Sequence, residues 1–407
     1  MTNMFMKQKK LMLLGGLRYL IPVIKEAHKL GAYVITADYL PDNIAHKYSD
    51  EYCNVSIISK EAVLKAAQSL EIDGILSHAV DPGVVSAAYV AEKMRLPFQC
   101  SYKAACILQD KHLFRKFLFE NGFNCPTARS YNKAEDALKD IGHFNWPVIV
   151  KPVDSAGSKG VTKVDNKNNL KDAIDSALSC SFSKKIIIED YLDMVGAQSS
   201  ADIFTIDGKL VYPAYSDQLF DAKAANPFTP AIEIWPTTME QKYQDDLTRQ
   251  LQHLISLLGI KTGIFNVESR VCSNGKAYLM EVSPRGGGNR IAELQEMATS
   301  QSLIRAEICK ALSLPIGKIT VPKYDGVWCN YILHTTVEGT FVSVDIDEEF
   351  RSKYVKDEGL NVRVGDHVVP FKGANNSLGT LFLRAETREK LDKLLADIDK
   401  YVHIVIS

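Results

Sequence analysis

The stretch GIFNVESRVCSNGKAYLMEVSPRGGGNR, residues 263–290, decides the architecture of this chain. Its first arm, 263–272, and its second, 276–282, are apolar and strand-forming. Between them stands Ser273-Asn274-Gly275, a strong hairpin signal because Asn and Gly tolerate positive φ. Glu268 and Glu281 lie on opposite arms of this hairpin, so both carboxylates are expected on one face. Two facing carboxylates in apolar strands repel unless a cation or a proton lies between them. Oxygen ligands without a neighbouring His or Cys suit Mg²⁺ rather than Zn²⁺. After Glu281 come Ser283-Pro284-Arg285 and Gly286-Gly287-Gly288-Asn289-Arg290, whose glycines free the backbone and whose two arginines could clamp a phosphate or a carboxylate.

Upstream, residues 148–164 read as strand, Gly/Ser loop and strand. Lys151 ends the first strand, and Ser155-Ala156-Gly157-Ser158-Lys159-Gly160 supplies small residues that let backbone N–H groups approach phosphate oxygens. A Walker loop would lead into a helix; this loop leads into a strand, so that family is excluded. A helix over 170–178 and an apolar strand over 186–189 follow. That strand ends in Glu189-Asp190-Tyr191-Leu192, an edge whose carboxylate and backbone could read adenine, or whose acids could simply be solvated.

The N-terminal hundred residues alternate strand and helix: strands at 11–14, 33–38 and 74–77, helices at 20–30, 60–70 and 84–95. This order predicts a parallel sheet wound in the Rossmann manner, with ligands collecting beyond the strand ends. The first turn, Gly15-Gly16-Leu17-Arg18, lacks the GxGxxG of a dinucleotide site, although Asp38 sits where a ribose-binding acid would. His78 and Asp81 are candidate substrate residues at a strand end; equally, they serve as turn and capping residues. A domain boundary is placed near residue 103. Farther on, the interval 219–230 reads as a long loop with Asp217, Asp221 and Lys223 at its flank, and the chain is expected to finish in a helix over 388–402.

Composition narrows the partners. With 48 basic and 49 acidic residues in a chain of 407, no overall field draws in nucleic acid or anionic lipid. The eight cysteines form no CxxC pair, which points to reduced thiols in a cytoplasmic setting. Lys7 to Lys10 followed by Leu11 to Leu14 has the look of a secretion signal. The apolar run is short for that purpose, however, and a buried first strand is the expectation. No segment approaches the ~18 apolar residues of a membrane span.

In this order the pieces resemble the ATP-grasp superfamily, in its biotin carboxylase and carbamoyl-phosphate synthase branch, closest to carboxylate–amine ligases such as the dipeptide synthetases. The resemblance implies an α/β chain. A Rossmann-like N-terminal domain would occupy 1–103. A central ATP-grasp domain would occupy 104–126 and 191–322, its lid 127–190, and a β-rich C-terminal domain 323–407. It implies ATP with Mg²⁺ or Mn²⁺, and Lys111 and Lys151 on the phosphates under a mobile loop of Ser155, Gly157, Ser158 and Gly160. Glu189, Tyr191 and Leu192 would meet adenine, and Gln198 would stand where relatives place a ribose-binding Glu. Glu268, Glu281 and Ser283 would hold the metal, Ser283 replacing the usual Asn. Arg285 would steady the transferred phosphoryl group, with His78, Asp81 and Arg290 toward the substrate. The activity implied is coupling of an acid to an amine through an acyl-phosphate. The partners implied are small molecules, with no nucleic acid and no membrane, and a homodimer is possible. Purine-biosynthetic ATP-grasp chemistry and a nucleotide-binding protein without turnover are the alternatives.

Overall fold

The computed structural model describes residues 8–155 and 159–407. Strand Lys10–Leu14 carries four successive fully buried residues and is the centre of a parallel four-stranded sheet. Its neighbours are Tyr33–Asp38 and Gly74–Leu76, with Glu51–Asn54 at the edge. The edge strand was not legible because EYCN is short and only partly buried, so it carries no apolar run. Helices Ile21–Lys29 and Lys60–Leu70 cross over between strands, and helix Asp81–Met94 follows the last of them. A later helix, Leu303–Ala311, also buries Ile304, Ile308 and Ala311 in this core. The N-terminal unit is thus closed by residues two hundred positions downstream.

The helical stretch after residue 101 is two helices, Tyr102–Gln109 and Lys111–Glu120. Asp110 separates them: its extended backbone breaks the first, and its side chain caps the second by accepting from Leu113 N–H. An antiparallel sheet follows, ordered Ala128–Tyr131, Ile186–Asp190, Val148–Pro152, Thr162–Val164, and backed by helix Leu170–Cys180. Gly160, at φ +70°, closes the loop before Thr162; a Cβ there would sit 2.9 Å from Cys180 Cβ. That glycine is needed for close packing of loop on helix.

The predicted hairpin is present as Gly263–Val271 and Ala277–Ser283, paired with Ser199–Ile206 and Lys209–Tyr212. A five-stranded sheet then joins Asp217–Phe220 and Pro230–Trp235 to Val327–Leu333, Gly379–Ala385 and Val355–Leu360. One sheet therefore runs across the expected division at 322/323. The long loop shrinks to 221–229, because Leu219 and Phe220 pair with the strand Pro230–Trp235. The chain ends differently from the expectation: helix Arg388–Ala396 is followed by strand Val402–Ile406, which pairs with Gly339–Ile346. Alternating burial in Val-His-Ile-Val-Ile marks that strand.

Candidate functional site

The hairpin places Glu268 directly opposite Glu281, with a bulge just beyond at Ser269. Burial first, and then the charge of Glu281, push the Glu268 carboxyl up to about 7. Gln198 Nε2 lies 3.4 Å from Glu268 Oε2, and its other end accepts from Arg270 Nη2. Gln198 is thereby locked into the wall beside the two facing acids, 2.8 Å from Gln218 Oε1. Lys111 Nζ sits 3.7 Å from Glu281 Oε2, which sets a cation beside the pair. Oxygen donors alone, close enough to raise a carboxyl pKa, fit a hard divalent cation completed by phosphate and water. Among the described residues no group of three or more His, Cys, Asp or Glu forms a protein cage for a metal.

Lys111 begins its helix and reaches forward to the loop: its Nζ donates to the Ser155 carbonyl at 2.9 Å. Lys111, Ser155, Glu281, Gln109 and Asp81 line one small cleft. The proposed covering residues Gly157 and Ser158 lie outside the described residues. Asp154 anchors the start of the loop by accepting from Ser181 Oγ at 2.9 Å and Ser183 N–H at 2.7 Å.

Lys151 and Glu189 stand on adjacent antiparallel strands, Ile149 pairing with Glu189 and Lys151 with Ile187. Lys151 Nζ lies 2.6 Å from Glu189 Oε2, while Arg115 Nε lies 2.8 Å from Oε1. Glu189 is 1% exposed and Arg115 3%. Burial acts to raise the Glu189 carboxyl, but the charges of Arg115 and Lys151 outweigh it and hold it down to about 2. Burial, reinforced by Arg115 and opposed by Glu189, pulls Lys151 down to about 8. An adenine amine arriving at this edge would share the carboxylate with two cations. The Tyr191 N–H is already donated to the Pro147 carbonyl at 3.0 Å.

A second ion pair ties the hairpin to the N-terminal unit. Asp81 is the first residue of helix Asp81–Met94, and Arg285 grips it bidentately through Nε at 2.8 Å and Nη2 at 2.7 Å. Ser283 Oγ donates to Asp81 at 2.9 Å and accepts from Gln109 Nε2 at 2.6 Å, so its hydroxyl is engaged on both sides. Burial pushes the Asp81 carboxyl up, yet the charge and hydrogen bonds of Arg285, with Ser283, keep it below the usual range. His78 is pushed down to about 4 by burial and by Arg285, and its imidazole is neutral at neutral pH. Gly286 has to be glycine here, since a Cβ would stand 2.4 Å from the His78 ring. Gly286→Ala is therefore expected to shift His78 and the Arg285 loop together, lowering turnover with a smaller loss of melting temperature. Wild-type turnover in that variant would show the contact to be slack.

Arg290 is committed elsewhere. It pairs with Glu293 and Asp357, donates to Thr380 at 3.2 Å, and lies over the Phe382 ring at 4.4 Å. It fastens the Gly-rich loop to the five-stranded sheet. Asp217 and Asp221 are likewise taken: Asp217 accepts from Thr237, Thr238 and Arg388, and Asp221 from His334.

Sequence reasoning missed Arg115, Asp202 and Glu233. Arg115 lies four residues after Lys111 on one helix, a same-face spacing that could have revealed it. Asp202 accepts from Asn266 Nδ2 at 3.0 Å and Gly287 N–H at 2.8 Å, setting the Gly-rich loop; burial raises it to about 6. Burial likewise pushes Glu233 up to about 7, Gln218 and Asn330 facing its two oxygens. For carboxyls raised in the folded state, folding is favoured while they are protonated, and this contribution is lost as pH rises from about 4.5 to about 7. Glu233→Gln is thus expected to flatten the fall in unfolding free energy between acidic and neutral pH; denaturant titrations on both sides of that window with an unchanged slope would exclude it.

Residues 144–293 match the family model described as the ATP-grasp domain, and the cleft lies within and beside that stretch. The chain is homologous to carbamoyl phosphate synthase large chains. It is 27% identical over 177 residues to the C-terminal section from Aquifex aeolicus, covering 44% of this chain and 32% of that protein. The chain therefore spans about a third of that relative's length. In fold it is similar to an L-amino acid ligase from Bacillus licheniformis, with a TM-score of 0.81, 21% identity, and 99% and 100% of the two chains covered. It is also similar to a phosphoribosylglycinamide synthetase from Anaerococcus prevotii, with a TM-score of 0.76, 18% identity, and 98% and 100% covered. No described helix is long and apolar enough to cross a membrane.

Proposed function

We propose that this protein is an ATP-dependent ligase that activates a carboxylate as an acyl-phosphate and joins it to an amine, releasing ADP and phosphate. The observation that carries this reading is the convergence of Lys111, Glu281, Ser155 and Asp81 on one cleft within and beside the stretch that matches the ATP-grasp domain. A carboxylate is a poor electrophile toward amines, and phosphorylation gives it a leaving group. Lys111 and Lys151 would hold the phosphates, and Arg285 would steady the moving phosphoryl group. Positioning and charge stabilisation do most of the work in such transfers. Glu268 and Glu281 would hold Mg²⁺, which when bound neutralises charge on the phosphates. The loop after Ser155 would cover the cleft and keep water from the acyl-phosphate. Residues 127–190 act in this reading as the lid, 1–103 as the N-terminal unit and 323–407 as the C-terminal one. Its partners are a small acid and a small amine in the cytoplasm, and a homodimer is compatible with it.

The test is ADP and phosphate release with Mg²⁺ across a matrix of carboxylic acids, amino acids and amines, phosphoribosylamine included. Release that needs both an acid and an amine supports the ligase. Release that needs phosphoribosylamine moves the reading to purine-type chemistry. Tight ATP binding with no release in any combination would count against turnover.

A further inference from the structure

Beside the Gly-rich loop that follows Arg285 opens a second, larger cavity of roughly 390 Å³, lined among others by Arg18, Lys25, His78, Asn289, Arg290 and Asn361. It lies between the carboxyl end of the strand Lys10–Leu14, the Gly-rich loop and the strand Val355–Leu360. Its position next to the loop that bears Arg285 makes it the space for a substrate body extending from the reacting centre.

The charges around it are mostly spent. Glu26 pairs with Arg305 at 2.7 Å and Lys29 at 3.0 Å, Glu293 pairs with Arg290, and Glu296 accepts from Ser302 Oγ at 2.8 Å. His78 is neutral. Among the described residues Arg18 has no carboxylate partner, and its Nε is buried without a hydrogen bond. Its guanidinium lies 5.6 Å from the Tyr19 ring, a contact that leaves in-plane N–H donors unused. Lys25, exposed at the rim, has only a distant approach to the Tyr48 ring, 6.0 Å. The Gly15-Gly16 turn is shaped to deliver Arg18 there, since a Cβ on Gly16 would stand 2.6 Å from Asn43 Cβ and from the His46 ring. A buried guanidinium donor left unpaired is costly unless a ligand satisfies it. Glu26 and Glu293 are ion-paired and Glu296 holds only the Ser302 hydroxyl, so Arg18 and Lys25 outnumber the one remaining acid of the lining, and the ligand that fits is an anion.

Building on the ligase reading, we infer that the part of the substrate remote from the reacting carboxylate carries an anionic group, a carboxylate or a phosphate monoester, and that Arg18 seats it with Lys25 at the rim. The substrate class is then a dicarboxylate or a phosphorylated acid or amine, rather than a molecule with an apolar tail.

The test uses the full chain with Mg²⁺ and a non-hydrolysable ATP analogue saturating the nucleotide cleft, so that added anions cannot bind there. Glutarate and inorganic phosphate are titrated by calorimetry into the wild type, Arg18→Gln and Arg18→Lys. The expected result is that at least one anion binds the wild type, that Arg18→Gln weakens it about tenfold or more, and that Arg18→Lys recovers part. Affinity for the analogue stays the same in all three. Preference for glutarate or for phosphate names the anion. The inference is overturned if neither anion binds, or if Arg18→Gln binds as the wild type does. The titration does not depend on turnover. A protein that binds the anion through Arg18 but never releases ADP sinks the ligase reading alone, and acid- and amine-dependent ADP release indifferent to Arg18→Gln sinks this inference alone.

Discussion

Lys151→Ala is expected to give a folded protein whose ADP release falls by about a hundredfold or more, the scale on which one preorganised charge-stabilising donor acts. The fold should survive because Glu189, the buried partner of Lys151, retains Arg115 at 2.8 Å. Circular dichroism and melting establish folding, and ADP release with the best acid and amine from the matrix measures the loss. Glu281→Ala should fall comparably, since it removes one of the two carboxylates proposed to hold Mg²⁺ while freeing Lys111, 3.7 Å away. Activity near wild type in either variant would remove the phosphate and metal assignments.

Arg115→Ala should produce the largest stability change, about 3–5 kcal/mol, the usual cost of stripping one partner from a buried ion pair. Glu189 is 1% exposed and would keep only Lys151. The pH dependence carries a second signature. A carboxyl held at about 2 adds stability that is complete above its unfolded value near 4.5 and is lost as pH falls toward 2. Weakening the pair shrinks that contribution, so the acid-unfolding limb should move to higher pH in Arg115→Ala, with Arg115→Lys intermediate. Urea unfolding that shifts by less than about 1 kcal/mol would mean that the pair is not buried as described.

Much of the fold was legible because its strands carry their own signals. Leu11 to Leu14 is an unbroken apolar run, and Asn274-Gly275 announces a hairpin whose register sets Glu268 against Glu281. The edge strand Glu51–Asn54 and the closing strand Val402–Ile406 were missed or misread, the first for want of apolar residues, the second because a helical pattern runs straight up to it. At the site, residue types suggested which side chains bear charge but not where each charge is spent. Arg285 and Arg290 looked alike in sequence. One grips Asp81 across 204 positions of chain, and the other binds Asp357, 67 positions away.

The sequence by itself determined the parallel N-terminal sheet, the lysine strand with its small-residue loop, and the two-carboxylate hairpin, because each follows from periodicity and turn chemistry within a few residues. Only the tertiary structure decided that Glu189 is clasped between Arg115 and Lys151, that Ser283 and Arg285 latch onto Asp81, and that Arg18 lines a cavity without a carboxylate partner among the described residues. The reason is physical. Which charges pair is settled by distance and burial between elements far apart in the chain, and no local pattern of residues encodes either quantity.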